Sequence, residues 1–412
     1  MADKKITSYP KEKINILFLE NISESAAAQF TDSGYASVKK ITGALSEAEL
    51  IKEIKNVHIL GIRSKSLITN NVLQAATKLQ AIGCFCIGVN QVDLEAAAAN
   101  GVAVFNAPYS NTRSVAELVI GASIMLIRKI VDKNTAAHNG KWMKEASGSY
   151  ELRGKTLGII GYGNIGSQVS VLAEGLGMKV IFYDSETKLP LGNANDCKSL
   201  KDLLQKADIV TLHVPEIKST QNLINKTTLA QCKKGAIIIN YARGTVVDLS
   251  ALRKAILDGH INGAAIDVFP VEPEKNGDAF DSPMQDLPNV ILTPHIGGST
   301  LEAQNNIGVD VSSKLFNYLE KGISTGSHSI PALALPPQEG AHRILHIHNN
   351  VPGVLSEINT LLSKHKINIL GQYLKTTEAI GYVVLDLDKS LSKNAMELLK
   401  GVKGTRKVRV LY

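Results

Sequence analysis

Short apolar runs alternate with longer amphipathic segments along most of the chain. Four runs near the start predict buried strands: residues 14–20, 57–63, 79–88 and 101–108. Between them, residues 46–54 and 69–76 have the apolar spacing of helices. Because neighbouring parallel strands need helical crossovers, this alternation predicts a parallel sheet covered by helices.

A long apolar helix is predicted next, over residues 114–130. It opens with a capping-box pattern, Ser114 with Glu117, and its apolar positions suit a helix buried between domains or subunits. Six more strands are predicted at α/β spacing: residues 155–161, 179–184, 208–214, 235–240, 263–269 and 289–295. A second capping-box pattern, Ser299 with Glu302, begins a helix that we expect to return the chain to the first domain. Its single apolar face consists of Ile307, Val311, Leu315 and Leu319.

The last part of the chain has a different pattern. Residues 322–340 are rich in Gly, Ser and Pro without periodicity, which predicts a linker. Residues 341–412 then show the order strand, helix, strand, strand, helix, strand of a ferredoxin-like α+β module. We therefore predict three domains. They are a discontinuous domain over residues 1–110 and 298–335, an inserted domain over 111–297, and a C-terminal domain over 341–412.

The composition narrows the class of protein. With 44% hydrophobic and 20% charged residues, the chain has ordinary globular composition. No apolar run approaches the roughly 18 residues of a membrane helix, and the charged N-terminus lacks a signal-peptide core, so we expect no membrane association. Four cysteines without zinc spacing predict a reduced, cytoplasmic protein and no metal site. The net charge of +7 is scattered, which favours a small anionic substrate over nucleic acid.

Residues 161–166, GYGNIG, carry a GxGxxG pattern between a predicted strand and a predicted helix. Gly161 would permit the tight turn, Gly163 the approach of a pyrophosphate, and Gly166 the packing of helix on strand. Asp184 ends the next strand, about 20 residues on, where dinucleotide-binding folds carry an acid for the ribose hydroxyls. A carboxylate there repels a 2′-phosphate, so the pattern predicts NAD as the cofactor. The alternative is a structural turn without a ligand.

Three polar residues follow the ends of later predicted strands, where open α/β sheets bind their ligands. Arg243 in NYARGT offers a forked guanidinium for a substrate carboxylate, and His295 in TPHIGGS can exchange a proton near neutral pH. Glu272 in DVFPVEP would fix the tautomer of His295 and favour its charged form. Together they suit interconversion of a carbonyl and a hydroxyl group. Singly, they could be a surface ion pair, a solvated loop charge and a satisfied loop histidine.

The chain resembles the D-isomer-specific 2-hydroxyacid dehydrogenases in the segments GYGNIG, NYARGT, DVFPVEP and TPHIGGS. Residues 83–94 (GCFCIGVNQVDL) and 105–121 (FNAPYSNTRSVAELVIG) extend the resemblance, and residues 341–412 are similar to an ACT domain. The resemblance implies two Rossmann-like or flavodoxin-like parallel-sheet domains, one binding substrate and one binding NAD, plus a C-terminal ferredoxin-like (ACT) regulatory domain. It implies NAD-dependent oxidation of D-3-phosphoglycerate to 3-phosphohydroxypyruvate, the first step of L-serine biosynthesis. Feedback inhibition by L-serine and a homotetramer are implied as well.

The resemblance also implies roles for single residues. Arg243 would anchor the substrate, His295 would act as acid and base, and Glu272 would orient His295. The implied NAD contacts are Gly161, Gly163, Asn164, Ile165, Gly166, Asp184, Tyr241, Ala242, Arg243, Asp267, His295, Gly297 and Gly298. The implied substrate contacts are Arg63, Ser64, Lys65, Asn111 and Arg243. Arg63 and Lys65 would hold the substrate phosphate; the alternative is an exposed basic loop.

The C-terminal module has its own implied ligand. His348, Asn350 and Asn368 would bind L-serine between two paired modules, with Val351 in place of an arginine of the family pattern. The alternative is an ACT fold that only dimerises the protein. Elsewhere Trp142, the only tryptophan, resembles a residue at the subunit contact between nucleotide-binding domains, with core packing as its alternative.

Two rival functions stay open at this point. One is a related dehydrogenase for an unphosphorylated acid such as glyoxylate or hydroxypyruvate, which would show no dependence on a substrate phosphate. The other is a non-catalytic, NAD-sensing binding protein of the corepressor kind, because a fold does not fix a function. An intact set of Arg243, Glu272 and His295 argues against the second rival.

Overall fold

Two parallel sheets and one antiparallel sheet are found in residues 10–273, 277–337, 340–388 and 392–411, which the computed structural model describes. The chain forms two units, one of Met1–Ser110 with Asn305–Tyr412 and one of Asn111–Gln304. Parallel α/β sheets followed by an antiparallel C-terminal sheet confirm the predicted fold class. The three domain boundaries given above stay a prediction.

The first unit begins with a five-stranded parallel sheet. Its strands are β1 (Asn15–Phe18), β2 (Ser37–Lys40), β3 (Ile59–Ile62), β4 (Ala81–Cys84) and β5 (Ala103–Asn106). Its helices are α1 (Glu24–Asp32), α2 (Glu47–Glu53), α3 (Asn70–Ala75) and α4 (Leu94–Ala99). The strand order is β2-β1-β3-β4-β5. Successive side chains of β1 enter opposite cores, since Phe18 packs with Phe30 of α1 and Leu17 with Leu50 of α2.

The second unit contains a seven-stranded parallel sheet. Its strands are β6 (Thr156–Ile160), β7 (Lys179–Tyr183), β8 (Asn195–Asp196), β9 (Ile209–Leu212), β10 (Ala236–Asn240), β11 (Ile261–Ile266) and β12 (Val290–Leu292). Its helices are α5 (Thr112–Ile127), α6 (Ile130–His138), α7 (Asn164–Gly175), α8 (Leu200–Lys206), α9 (Lys226–Leu229) and α10 (Leu249–Leu257). The order β12-β11-β10-β9-β6-β7-β8 reverses direction between β9 and β6. Doubly wound sheets bind their ligands at that point, outside the carboxyl ends of the strands.

The start and end of α5 differ from the prediction. The helix begins at Thr112 with Asn111 as its N-cap residue, so the predicted capping box of Ser114 with Glu117 is wrong. The Ser114 hydroxyl instead hydrogen-bonds the Thr300 hydroxyl at 2.8 Å. The helix ends at Ile127 rather than at residue 130, because Lys129 has a φ of 52° and breaks the helical path.

The C-terminal sheet is antiparallel. After α11 (Leu301–Lys321) come β13 (His342–Asn349), α12 (Val354–Lys364), β14 (Ile369–Thr376), β15 (Ile380–Leu387), α13 (Ser392–Lys400) and β16 (Thr405–Leu411). The strand order is β14-β15-β13-β16, as the ferredoxin-like pattern predicts. The predicted capping box at the start of α11 is wrong by one residue, because Thr300 Oγ1, not Ser299, accepts from the Ala303 amide at 3.1 Å. In the described residues, no helix is long and apolar enough to cross a membrane.

The open face of this sheet packs on the rest of the first unit. Leu345, Ile347 and Tyr382 share a core with Tyr318 and other residues of α11. The described part of the predicted linker connects the two regions without regular structure, although Ser324 and Ile330 within it are buried.

Arg343 forms the most buried ion pair of this region. Its guanidinium is paired with the Asp386 carboxylate at 2.7 and 2.8 Å, with side chains 1% and 11% exposed. Arg343 also donates to the carbonyl of Lys321 at 3.0 Å, which ends α11. One buried cation therefore joins β13, β15 and the end of α11.

Candidate active site

The turn after β10 positions Arg243. Asn240, the fully buried last residue of the strand, accepts from the Ala242 amide at 3.1 Å and donates to the Arg243 carbonyl at 2.9 Å. The Arg243 guanidinium donates to the Ala242 carbonyl at 2.7 Å. Among the residues that the structure describes, Arg243 forms no salt bridge.

Gly244 allows this turn to meet the segment after β11. A Cβ on Gly244 would lie 2.0 Å from the carbonyl carbon of Phe269 and 2.5 Å from the Pro270 nitrogen. Only a residue without a side chain fits between two backbones at this distance. The close approach brings the Arg243 turn against the segment that leads to Glu272.

Glu272 and His295 form a hydrogen-bonded pair. His295 Nδ1 donates to Glu272 Oε2 at 2.8 Å, and Glu272 Oε1 accepts from the Phe269 amide at 3.0 Å. The hydrogen bond to Glu272 raises the pKa of His295 above its ordinary value, against the lowering effects of burial and of Arg243 nearby. Burial raises the pKa of Glu272, but the His295 and Phe269 hydrogen bonds outweigh it and hold that pKa below its ordinary value. The pair thus favours a protonated imidazole beside an ionised carboxylate.

Asp267 holds the loop that carries His295. Its buried carboxylate accepts from the Thr293 hydroxyl at 2.6 Å and from the amides of Ile296 and Gly297, both at 2.8 Å. His295 itself has a φ of 53°, a conformation that costs a non-glycine residue energy and persists where its surroundings enforce it. The three hydrogen bonds to Asp267 supply that enforcement.

The glycine-rich turn leads from β6 into α7. A Cβ on Gly161 would lie 2.4 Å from the His213 carbonyl oxygen, and one on Gly166 would lie 2.2 Å from the Gly161 carbonyl oxygen. A Cβ on Gly163 would meet no other described atom within 4 Å, apart from its chain neighbours, which leaves open space before the N-terminus of α7. The turn is therefore close-packed at Gly161 and Gly166 and open at Gly163, the glycine where this fold lets a pyrophosphate approach.

Asp184 faces this turn from the end of β7. Its carboxylate accepts from the Tyr162 amide at 2.8 Å and from the Glu186 amide at 3.0 Å. These bonds hold an anionic group about where the ribose of a dinucleotide is recognised in this fold. The residues present fit an NAD molecule.

Other predicted site residues lie in four places. Tyr241 and Ala242 are buried before Arg243, and Asn164 and Ile165 begin α7. Gly298 packs on the side chain of Asn111, since a Cβ there would lie 2.4 Å from Asn111 Nδ2. Arg63, Ser64 and Lys65 follow β3 in the first unit.

The C-terminal module has a cavity of about 460 Å³ beside the turn between β13 and α12. His348 and Asn350 line it together with Val351, Ser356 and Thr376. His348 is 2% exposed, and its Nε2 has no partner in the part of the chain that the structure describes. Asn368 does not line the cavity. It lies just before the first residue of β14, whereas Thr376 at the other end of that strand lines the cavity.

The sequence that forms this site is similar to the sequences of a known protein family. A family model for the NAD binding domain of D-isomer specific 2-hydroxyacid dehydrogenases matches residues 120–297. The D-3-phosphoglycerate dehydrogenase of Haemophilus influenzae is 51% identical, over 98% of this chain and 99% of its own length. The chain belongs to the D-isomer specific 2-hydroxyacid dehydrogenase family. The resemblance inferred from the sequence is confirmed.

Further relatives support the dehydrogenase family and the cofactor. The D-3-phosphoglycerate dehydrogenase of Escherichia coli K12 is 49% identical over 98% of this chain and 99% of its own. The D-lactate dehydrogenase structure from Aquifex aeolicus, complexed with NAD and lactic acid, has a TM-score of 0.66 and 26% identity, covering 77% of this chain and 100% of its own. This dehydrogenase is therefore an NAD-dependent oxidoreductase, as predicted.

A second family model, for the ACT domain of the AHAS small subunit type, matches residues 344–407. It covers most of the β13–β16 module and confirms the predicted ACT domain.

Among the described residues of the dehydrogenase, no group of three His, Cys, Asp or Glu side chains is arranged to hold a metal ion.

Two further polar residues of the site, His213 and Asn240, are not among those predicted from the sequence. His213 follows β9 at the point where the strand order reverses, and its Nε2 hydrogen-bonds the Thr211 hydroxyl at 3.0 Å. Burial lowers the pKa of His213 to about 3, so it is a neutral group beside Gly161. Asn240, whose side chain holds the Arg243 turn, is likewise not among the predicted site residues. In both cases the available signal was a polar residue directly at the end of an apolar strand.

Trp142 is not a core residue of the described chain. Its side chain is 87% exposed, so the core-packing alternative is wrong. Met143 and Tyr150 nearby are also exposed.

Proposed function

We propose that this dehydrogenase oxidises D-3-phosphoglycerate to 3-phosphohydroxypyruvate with NAD, the first step of L-serine biosynthesis. The observation that carries the proposal is the hydrogen-bonded pair of His295 and Glu272 beside Arg243. The choice of substrate is supported by full-length relatives of about 50% identity that carry the name D-3-phosphoglycerate dehydrogenase.

The proposed chemistry divides between the cofactor and three side chains. The turn from Gly161 to Gly166 and Asp184 would hold NAD, which when bound would supply the acceptor for the hydride from the carbinol carbon of the substrate. His295 takes the hydroxyl proton at Nε2, because Nδ1 is committed to Glu272. Glu272 fixes the imidazole and stabilises the imidazolium that forms. Arg243 holds the substrate carboxylate and polarises the forming carbonyl oxygen with its forked guanidinium.

We further propose roles for the remaining predicted contacts. Arg63, Ser64 and Lys65 bind the substrate phosphate, and Asn111 contributes a polar contact to the substrate. NAD is bound by the turn from Gly161 to Gly166, with the ribose on Asp184. This assignment is supported by the open space at Gly163.

Regulation is assigned to the ACT domain. We propose that L-serine binds at His348 and Asn350, with Asn368 contributed across a pair of modules, and that it inhibits turnover. The cavity beside the β13–α12 turn and the unpartnered Nε2 of His348 within the described residues support a polar ligand there.

Assembly and location belong to the proposal as well. We propose a cytoplasmic homotetramer with one isologous contact between NAD-binding domains and one between ACT domains. The exposed side chains of Trp142, Met143 and Tyr150 support the first contact. The four cysteines are free thiols, as expected in a reducing compartment.

The test is the rate of NADH oxidation with 3-phosphohydroxypyruvate and with hydroxypyruvate, each with and without L-serine. We expect turnover to depend on the phosphate, to be suppressed by serine, and to lose its phosphate preference in Arg63→Ala. Absence of a phosphate preference in the wild-type enzyme would favour a glyoxylate- or hydroxypyruvate-type dehydrogenase. Absence of turnover on every acid would favour the NAD-sensing binding protein.

A further inference from the structure

The turn after β3, residues 63–66, is held by two buried polar side chains from outside it. Glu20 follows β1 and is 8% exposed, and Gln91 follows β4 and is 4% exposed. The strands β1, β3 and β4 are neighbours in one parallel sheet, so their carboxyl ends share an edge. Both residues thus lie at the edge from which Arg63 emerges.

Glu20 holds the second half of the turn by its carboxylate. Oε2 accepts from the Lys65 amide at 2.9 Å, and Oε1 accepts from the Ser66 amide at 2.8 Å. A buried carboxylate is retained only where donors satisfy it, and here backbone amides do so. The hydrogen bonds fix the backbone of two consecutive residues.

The backbone at Glu20 is itself bent to make these contacts. Glu20 and Asn21 have φ values of 59° and 55°, which non-glycine residues rarely adopt. The Glu20 amide donates to the Gly43 carbonyl at 3.2 Å and the Leu19 amide to the Gly61 carbonyl at 2.9 Å, and these bonds maintain the bend. Such strain is kept where a site requires it.

Gln91 holds the first half of the turn. Its side-chain Nε2 donates to the Arg63 carbonyl at 2.6 Å, and its backbone carbonyl accepts from the Ile68 amide at 2.8 Å. The same Nε2 lies 3.3 Å from Cys86 Sγ and 3.4 Å from the Gly88 carbonyl. The turn is therefore fixed on both sides by side chains whose polar atoms point at its backbone.

We infer that Glu20 and Gln91 are positioning residues that set the phosphate preference of this enzyme, an inference that rests on the proposed function. Neither side chain is needed to bind an anion, and the negative charge of Glu20 would by itself oppose one. The contribution of Glu20 is geometric, since it fixes the backbone from which the cationic side chains project.

The test compares Glu20→Gln and Gln91→Met with the wild-type enzyme. In Glu20→Gln an amide group replaces one carboxylate oxygen and meets a backbone N–H, which disrupts the turn. In Gln91→Met an apolar side chain of similar length no longer binds the Arg63 carbonyl. We expect the KM for 3-phosphohydroxypyruvate to rise about tenfold or more in both variants, because a displacement of about 1 Å can cost about a hundredfold. We expect kcat/KM for hydroxypyruvate to change far less.

Glu49→Gln is the matched control, because the Glu49 carboxylate accepts the Ser46 amide at 2.9 Å in the same unit without touching the turn. It should behave as wild type with both substrates. Thermal denaturation checks that each variant is folded, and Gln91→Met carries the test if Glu20→Gln does not fold.

A KM for the phosphorylated substrate that stays unchanged in both variants would overturn the inference, as would a lower KM in Glu20→Gln, which would mean that charge and not geometry matters. A wild-type enzyme without phosphate preference would instead refute the proposed function on which the inference rests.

Discussion

The contact at Gly244 gives a sharp test of how the active site is assembled. Replacing Gly244 by alanine adds one methyl group between the Arg243 turn and the backbone of Phe269 and Pro270. Gly244 is not among the residues with positive φ, so alanine fits its backbone conformation. Any effect of Gly244→Ala therefore arises from contact alone.

The size of the effect follows from the distances. The new Cβ would lie 2.0 Å from the Phe269 carbonyl carbon and 2.2 Å from its oxygen, whereas real Cβ contacts below 3.0 Å are essentially never seen. The two segments must separate by about 1 Å, since neither set of atoms is a flexible side-chain end. A misplacement of about 1 Å at a catalytic group costs about a hundredfold in rate, or about 2.7 kcal/mol. Overpacking lowers the free energy of unfolding by about 1–3 kcal/mol.

The assay is kcat/KM for the reduction of 3-phosphohydroxypyruvate, measured with the thermal unfolding midpoint. We expect a loss of about a hundredfold in kcat/KM and a lower midpoint. Gly121→Ala in α5 is the matched control, because no described atom of the chain lies within 4 Å of a Cβ there. It should keep full turnover and gain about 0.5–1 kcal/mol of stability as a helix-interior glycine. Wild-type turnover and stability in Gly244→Ala would refute the claim that this close approach sets the position of Arg243.

Two further predictions concern charged groups. Glu272 raises the pKa of His295, so Glu272→Gln should lower that pKa. Reduction needs the protonated imidazole and oxidation needs the neutral one. The high-pH limb of the reduction profile and the low-pH limb of the oxidation profile should therefore both move to lower pH. Unmoved pH profiles of kcat/KM would contradict this assignment. Arg343→Met should cost about 3–5 kcal/mol in thermal unfolding by leaving the Asp386 carboxylate buried alone, and the double variant Arg343→Met/Asp386→Leu should recover most of it. A single variant as stable as the wild type would mean that the pair is not buried in solution.

Apolar runs predict most strands of the two parallel sheets, including the edge strands β5 and β12, but they do not reveal an edge strand that is polar or very short. Four strands of the first sheet were predicted, but not β2, whose residues SVKK lie at the edge and are only partly buried. The two-residue strand β8 at the edge of the second sheet was missed as well. An edge strand needs no continuous apolar run, so its sequence carries little signal.

Local capping patterns were less reliable than periodicity. Ser114 and Ser299 both stand three residues before a glutamate, yet neither caps its helix. Ser114 hydrogen-bonds Thr300, a residue far away in the sequence that also caps α11. A contact between distant segments thus replaced the local one, and a single sequence window does not contain that information.

Polar residues that follow the predicted strands indicated from the sequence which residues form the candidate site, but not which contacts they make. Arg243 and His295 each follow a strand of the second sheet by three residues. The 2.8 Å bond from His295 to Glu272 depends in addition on the left-handed φ of His295 and on the hydrogen bonds of Asp267. Asp267 was predicted as an NAD contact; its carboxylate holds the His295 loop, and its contact with NAD stays a prediction.

The same logic connects the polar residues that hold these loops. Loops beyond the carboxyl ends of parallel strands have no ladder hydrogen bonds, so their buried backbone groups need other partners. Buried polar residues that lie at or after the end of a strand supply these partners: Glu20, Gln91, Asn240 and Asp267. A polar residue that interrupts an apolar strand end therefore marks a supported loop. Which loop it supports depends on the order of strands in the sheet, and this is why the sequence indicated the edge while the structure was needed to identify the partners.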